Sequence, residues 1–275
     1  MQTLIALAVV ALFVAGAVIY LNNQGRQMAF TTSRLVRELS EAPASTSAKP
    51  LLPQLVRDYA LRAGGRIDGP AMFRARQSAV LVMKPGGAEV QLLAEQWTST
   101  LASGFVWVAE GRMFGLPVRA VDAYTHGRGH FGVQALGAFP IARGRGVDFD
   151  KGELMRYLSE LPIYPDAILN NSELSWREIR GGRVEVTGRL GTGSATVRFG
   201  FDREGNIVSM QADDRPRSVG NGRTVPTRWF GSYGMYETIG AYRIPTYGEV
   251  AWMLSEGSFT YWRGTLISCE PVSQD

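Results

Sequence analysis

The pattern of apolar and polar side chains changes character along the chain. Leu4 to Leu21 does not alternate: Leu, Ala, Val, Ile and Phe dominate, and the first charged side chain is Arg26. As a helix rising about 1.5 Å per residue it reaches about 27 Å, against a hydrocarbon core of about 30 Å. Residues 1–25 are therefore expected to form a single-pass transmembrane anchor. A cleaved signal peptide is the alternative, with Leu4 to Val14 as its apolar region and Ala15-Gly16-Ala17 as its cleavage site. Such a peptide should open on Lys or Arg, and this one offers only a terminal amine. Gln27 to Leu39 fits a short helix with Leu35, Val36 and Leu39 on one side. Ser40 to Pro50 has no large apolar residue and reads as a flexible tether, so residues 26–50 form a short helix and linker.

Beyond the tether, Leu52, Leu55, Val56 and Tyr59 recur at helical spacing until Gly64-Gly65. From Met72 the period becomes two. Val90, Leu92 and Ala94 alternate with Glu89 and Gln91, while Phe105 to Val108 is apolar on both faces and so belongs in the middle of a sheet. The clearest meander runs from Arg183 to Asp213, with the turns Gly191-Thr192-Gly193 and Asp202 to Asn206. Short turns between such strands imply antiparallel pairing. Roughly nine to eleven strands are expected, and a twisted open sheet of that size curls. The fold class is mainly β with few helices (α+β), residues 51–275 forming one β-rich half-barrel: a curled antiparallel sheet crossed by a helix.

That helix is legible at Asp150 to Leu161, overlapping the start of the stretch Gly152 to Leu169. Leu154, Leu158 and Leu161 form an apolar stripe, Pro162 and Pro165 stop the helix, and Asp150 with Glu153 has the spacing of a capping box. Glu153, Arg156, Tyr157 and Glu160 take another face, where Arg156 and Glu160 would form an i, i+4 surface pair. Their catalytic alternative is an acid and a base, Glu153 and Glu160, about 10 Å apart along the axis, with Arg156 holding an anion between them. That separation lies near the upper end of the roughly 6.5–9.5 Å of inverting glycosidases.

Charge and composition narrow the picture. The net charge is +4 and all but three of the 29 basic residues are Arg. They are scattered among acids, which reads as a solvated surface rather than a phosphate track, so no nucleic-acid partner is expected. A single cysteine, Cys269, excludes an internal disulfide and any cysteine cluster for zinc or iron-sulfur, and no cofactor is expected. Gly127-Arg128-Gly129-His130-Phe131-Gly132 fits G-x-G-x-x-G, but a strand or loop follows where a nucleotide site needs a helix. His126 and His130 are weak metal candidates: in a strand they stand about 13 Å apart, and only a turn could gather them with Asp122. The late aromatics suit an apolar pocket with a few polar anchors: Trp176, Trp229, Tyr242, Trp252, Tyr261 and Trp262, with Arg243 beside them.

Arg156-Tyr157-Leu158-Ser159-Glu160, then Tyr164-Pro165, Leu169, Trp176, Arg243-Ile244-Pro245 and Tyr261-Trp262-Arg263, resemble the signature of a widespread bacterial family of unknown function. The architecture is similar to lipoprotein-carrier (Lol-type) half-barrels. The family brings no established activity, but the half-barrel architecture together with the apolar N-terminal run leads to the expectation of a membrane-tethered protein that binds a lipid or other amphiphile, with Arg156 or Arg243 meeting a polar head group and Tyr157 and the late aromatics lining the cavity. The rival readings are a membrane-associated hydrolase using Glu153 and Glu160, and an envelope module that binds another protein. Fold analogy places the domain outside the cytoplasm, whereas Arg26, Arg34 and Arg37 after the apolar segment place it inside.

Overall fold

The period-two pattern becomes one continuous antiparallel sheet. The computed structural model describes residues 2–41, 49–136, 139–191 and 193–273, and for residues 2–19 and Asn22 the backbone alone. Among the described residues thirteen strands follow in chain order: β1 (Met72–Val82), β2 (Glu89–Ser99), β3 (Phe105–Met113), β4 (Leu116–Thr125), β5 (Arg128–Ala135), β6 (Phe139–Gly144), β7 (Leu174–Ile179), β8 (Arg183–Leu190), β9 (Gly193–Phe201), β10 (Ile207–Ser218), β11 (Thr224–Ile239), β12 (Tyr242–Leu254) and β13 (Gly257–Pro271). Their order across the sheet is β6-β5-β4-β3-β2-β1-β13-β12-β11-β10-β9-β8-β7. The chain thus lays down one half as a meander, leaves it through the helices, and returns through a second meander whose last strand closes on β1. The count exceeds the expected range because β5 and β6, rich in Gly and broken by Pro140, carry little alternation.

The helices are α1 (Gln2–Ser40), α2 (Gln54–Arg62), α3 (Val147–Glu160), a 3-10 turn (Leu161–Ile163) and α4 (Pro165–Asn170). α3 packs against β4 and β5 near one edge of the sheet and against β8, β9 and β10 near the other. One helix can touch both only if the sheet curls around it, which makes the half-barrel. Leu154, Leu158 and Leu161 are buried as their stripe predicts. Pro162 ends α3, and Pro165 starts α4 at its first turn, where a missing N–H costs nothing.

One expectation about the N-terminal region changes. Residues 2–40 form a single helix rather than an anchor and a separate short helix. Gly16 and Gly25 cost only about 1 kcal/mol each in a helix, and Met28, Leu35 and Leu39 bury on the convex face of the sheet against Val106, Val108, Val121 and Ala123. This second layer explains why Phe105 to Val108 is apolar on both faces. Among the described residues no helix is long and apolar enough to cross a membrane. The expected anchor, Leu4–Leu21, falls largely on residues whose side chains lie outside the described set, and most of the Ser40–Pro50 tether lies outside it altogether.

Candidate functional site

The polar face of α3 is not a solvated surface. It points into the cup, where Arg156 organises a buried ionic cluster. Its Nη1 meets Asp122 Oδ2 of β4 at 2.5 Å, its Nε meets Glu160 Oε1 at 2.9 Å, and its Nη2 donates to Gln96 Oε1 of β2 at 3.0 Å. Gln96 Nε2 returns a hydrogen bond to Glu160, closing the ring. The guanidinium lies 4.5 Å above the Phe105 ring and 5.1 Å above that of Trp107. Burial opposes its charge, but Glu160, Asp122 and Glu153 outweigh that and keep it firmly protonated.

The capping box expected at Asp150 and Glu153 is not formed. α3 starts a turn earlier, after Gly146 (φ 107°), without a side-chain cap. Asp150 Oδ1 instead accepts from the Gly129 N–H of β5 at 2.7 Å, and Phe149 fills the space a side chain at Gly129 or Gly144 would need. Glu153 is thereby turned inward, 6% exposed. Burial, and then the neighbouring Asp122 carboxylate, push its carboxyl up to about 8, against the pull of Arg215 and Arg156. Burial also raises Asp122, which Arg156 opposes. Asp122 Oδ1 and Glu153 Oε2 are both buried without a donor, and the two side chains are in hydrogen-bonding contact. One proton resolves both orphans: at neutral pH Glu153 is protonated and donates to ionised Asp122. With Arg215 (β10) nearby, two cations then face two anions and the cluster is balanced.

Arg215 joins this cluster to the aromatic wall. Its guanidinium lies 4.0 Å above Trp229, and its Nη1 donates to the Tyr261 hydroxyl at 3.2 Å. Trp229 Nε1 donates to the same hydroxyl at 3.1 Å, while Trp252 stacks on Tyr261 with centroids 5.4 Å apart. Four of the expected binding residues, Trp229, Trp252, Tyr261 and Trp262, do share the inner face of β11–β13. The others do not join them. Tyr157 is 1% exposed and donates to the Ser99 carbonyl while accepting from Asn171, which makes it a strut. Tyr242 packs edge-on against Phe73, and Trp176 stacks on Phe199 near the sheet edge. Arg243 lies over Tyr236 and donates to Asn206 beside α2, lining a crevice of about 380 Å³ away from the cluster. Nor does the acid and base pair Glu153 and Glu160 form, since each carboxylate is engaged by a different partner.

Sequence reasoning missed Gln96 and Arg215, and weighed Asp122 only as a metal partner. Parity alone could have flagged Asp122 and Gln96: Asp122 sits between Ala120 and Tyr124, and Gln96 between Ala94 and Thr98, both at inward positions. Arg215 follows a bulge, which hides its parity. The metal candidates separate for the same reason. His130 pairs with Ala123 and so faces α1, whereas Asp122 beside it points into the cup. His126 and Gly127, both with positive φ, form the two-residue β4–β5 turn, so the glycine motif is a hairpin and not a nucleotide loop. Among the described residues no three His, Cys, Asp or Glu are gathered for a metal.

The strand directions give the cup two ends. The turns β1–β2, β3–β4, β5–β6, β8–β9, β10–β11 and β12–β13 lie at one, here the upper end. At the lower end Phe73, Phe105 and Tyr124 are fully covered by the helices. Above the Arg156 cluster the inner face is apolar but only half-buried, at Leu81, Met113, Trp252, Trp262 and Leu266. A crevice of about 520 Å³ between α1, the β4–β5 turn and residues 172–175 opens elsewhere, and none of the Arg156 cluster lines it.

Residues 42–264 match the family of unknown function DUF6544, and the chain belongs to that family. A search of curated proteins finds no match. Among solved structures the chain is similar to a DUF1329 family protein from Desulfovibrio piger, at 12% identity and a TM-score of 0.44, over 78% of this chain and 91% of that one. It is also similar to a LolA superfamily protein from Nitrosomonas europaea, at 11% identity and a TM-score of 0.42, over 80% and 94% of the two chains.

Proposed function

We propose that the protein is membrane-tethered through its apolar N-terminal segment and binds an amphiphile in the upper half of the cup. The observation that carries this reading is the half-buried apolar wall above α3, formed by Leu81, Met113, Trp252, Trp262 and Leu266. The lower half is closed by the protein's own helices; the upper half leaves apolar surface that a hydrocarbon chain would cover at about 25 cal/mol per Å². The ionic floor sets the orientation. Arg156 is saturated by Asp122, Glu160 and Gln96, so it has no free charge for a head group, and the balanced cluster attracts neither sign. The ligand enters tail first and keeps its head at the mouth, in water.

The test is mass spectrometry of organic extracts from the purified full chain, which should show an amphiphile near one per protein. Leu266→Arg places a charge on the wall without disturbing a fully buried position and should lower the bound amphiphile several-fold. Protein that purifies empty and takes up no fatty acid or phospholipid on incubation overturns the reading.

A further inference from the structure

The upper hairpins share a feature that neither the core nor the cup uses. Five of the six carry a large apolar side chain directed into solvent: Met83 (61% exposed) after β1, Phe114 (84%) between β3 and β4, Leu136 (44%) after β5, Val219 (40%) between β10 and β11, and Met253 (41%) at the end of β12; the sixth, between β8 and β9, has the sequence Gly-Thr-Gly. The lower turns carry none: they are residues 100–104, His126-Gly127, Gly181-Gly182, Asp202 to Asn206 and Gly240-Ala241. Scattered exposed apolar residues are ordinary, but one on five of the six turns at a single end is a patterned surface.

Two of these residues also hold their place against local energetics. Phe114 and Leu136 have φ of +52° and +53°. The left-handed region costs a residue with a Cβ about 1–2 kcal/mol, and a two-residue hairpin such as Phe114-Gly115 favours Asn or Asp at the first position. A bulky side chain kept there, pointing into water, has no account in folding stability.

α1 and the cup identify the partner. Leu39 sits against Gly104 in the lower β2–β3 turn, and Tyr20 packs on Phe139, beside the upper β5–β6 turn, at 6.3 Å. The helix therefore climbs the convex face and leaves the sheet at the apolar rim. Residues 2–19 add about 27 Å of helix beyond that point, and they carry most of the unbroken apolar run Leu4–Leu21. The half-buried wall of the cup opens at the same end.

We infer that the upper rim is a bilayer-docking surface: Met83, Phe114, Leu136, Val219 and Met253 insert at the lipid interface and hold the mouth of the cup against the membrane. The apolar tips bury in the head-group and acyl boundary, as the apolar face of an interfacial helix does.

The test uses the full chain in phosphatidylcholine vesicles containing phosphatidylglycerol. Phe114→Cys, Met253→Cys and, at the lower end, Arg203→Cys are each labelled with an environment-sensitive fluorophore. The native Cys269 is buried, and burial pushes its thiol up to about 12, so it stays unlabelled. Labels at 114 and 253 should shift to the blue and be quenched by nitroxide-bearing lipid, while the label at 203 does neither. In a Phe114→Asp, Leu136→Asp background the label at 253 should return to its aqueous emission with a melting temperature no lower than before, since both substituted side chains are exposed and Asp tolerates positive φ better than Phe or Leu. Labels at 114 and 253 that stay water-like on vesicle-bound protein, or a 253 signal indifferent to the two aspartates, overturn the inference. The outcome is separable from the cup's contents: quenched tips on an empty protein would sink the amphiphile reading alone, and aqueous tips on a lipid-loaded protein the docking alone.

Discussion

Glu153 and Arg156 show how a residue's role follows from which way its element turns. At i, i+3 on an isolated helix they are a surface pair of about 0.2–0.5 kcal/mol. Buried in the cup, Arg156 is held between two carboxylates and two aromatic rings, and Glu153 is a neutral acid beside an ionised Asp122. The sign of the pH dependence follows. The folded protein keeps a proton on Glu153 up to about 8, while the unfolded chain releases it near the ordinary glutamate value. Between those limits the native state binds more protons, so this contribution to stability is complete at acidic pH and is lost as pH rises to about 8, with a slope of at most about 1.4 kcal/mol per pH unit. Glu153→Gln, neutral at every pH, should flatten that segment of a melting-temperature profile measured from acidic to mildly alkaline pH. An equal slope in the variant would assign the proton elsewhere. The Arg156–Glu160 pair was legible in the helix spacing, but the meeting of Glu153 with Asp122 was not, because Asp122 lies 31 positions before Glu153 and only the closure of the sheet brings β4 to the helix.

At the scale of the element, α3 was the most readable part of the chain. Its apolar stripe and its proline stop are where the spacing places them. Its start was misread, since Asp150 and Glu153 mimic a capping box while the backbone is bound earlier by Phe149 packing on β5 and β6. The stripe is also its main attachment. Leu154 is fully buried, and its side chain occupies the space that a Cβ on Gly188 of β8 would need, with Cδ1 3.0 Å from that position. Leu154→Ala should therefore cost about 2–5 kcal/mol, read as a lower midpoint in urea with an unchanged slope. Gly188→Ala should destabilise through the same contact from the other side.

The whole molecule is a three-layer object: α1 outside, the curled sheet between, and α2, α3 and α4 within. The outer layer rests on a small apolar seam. Leu35, 3% exposed, and Leu39, 4% exposed, meet Val106, Val108, Val121 and Ala123. Leu35→Asp buries an unpaired charge there, at a cost of several kcal/mol. It should release the helix, read as faster tryptic cleavage after Arg26, Arg34 and Arg37 with the sheet still protected; unchanged cleavage would mean that the seam does not hold α1.

Local rules determined a good deal about this protein. Period two specifies strands, short Gly-rich turns specify antiparallel neighbours, and a sheet of many such strands must curl. Period 3.6 with a proline stop specifies the crossing helix, and the unbroken N-terminal apolar run is visible without any structure. What the tertiary structure alone decided is everything that depends on long-range closure. β13 returns to β1 across the chain's full length, and the sheet curls until β4 and β10 face the same helix. Asp122, Glu153 and Arg215 become one charge-balanced cluster only then. The same closure separates Arg243 and Tyr242 from the aromatics they follow in sequence. Side-chain alternation tells which face a residue takes, but a sheet has a concave and a convex face, and two ends, only after its strands have been ordered in space.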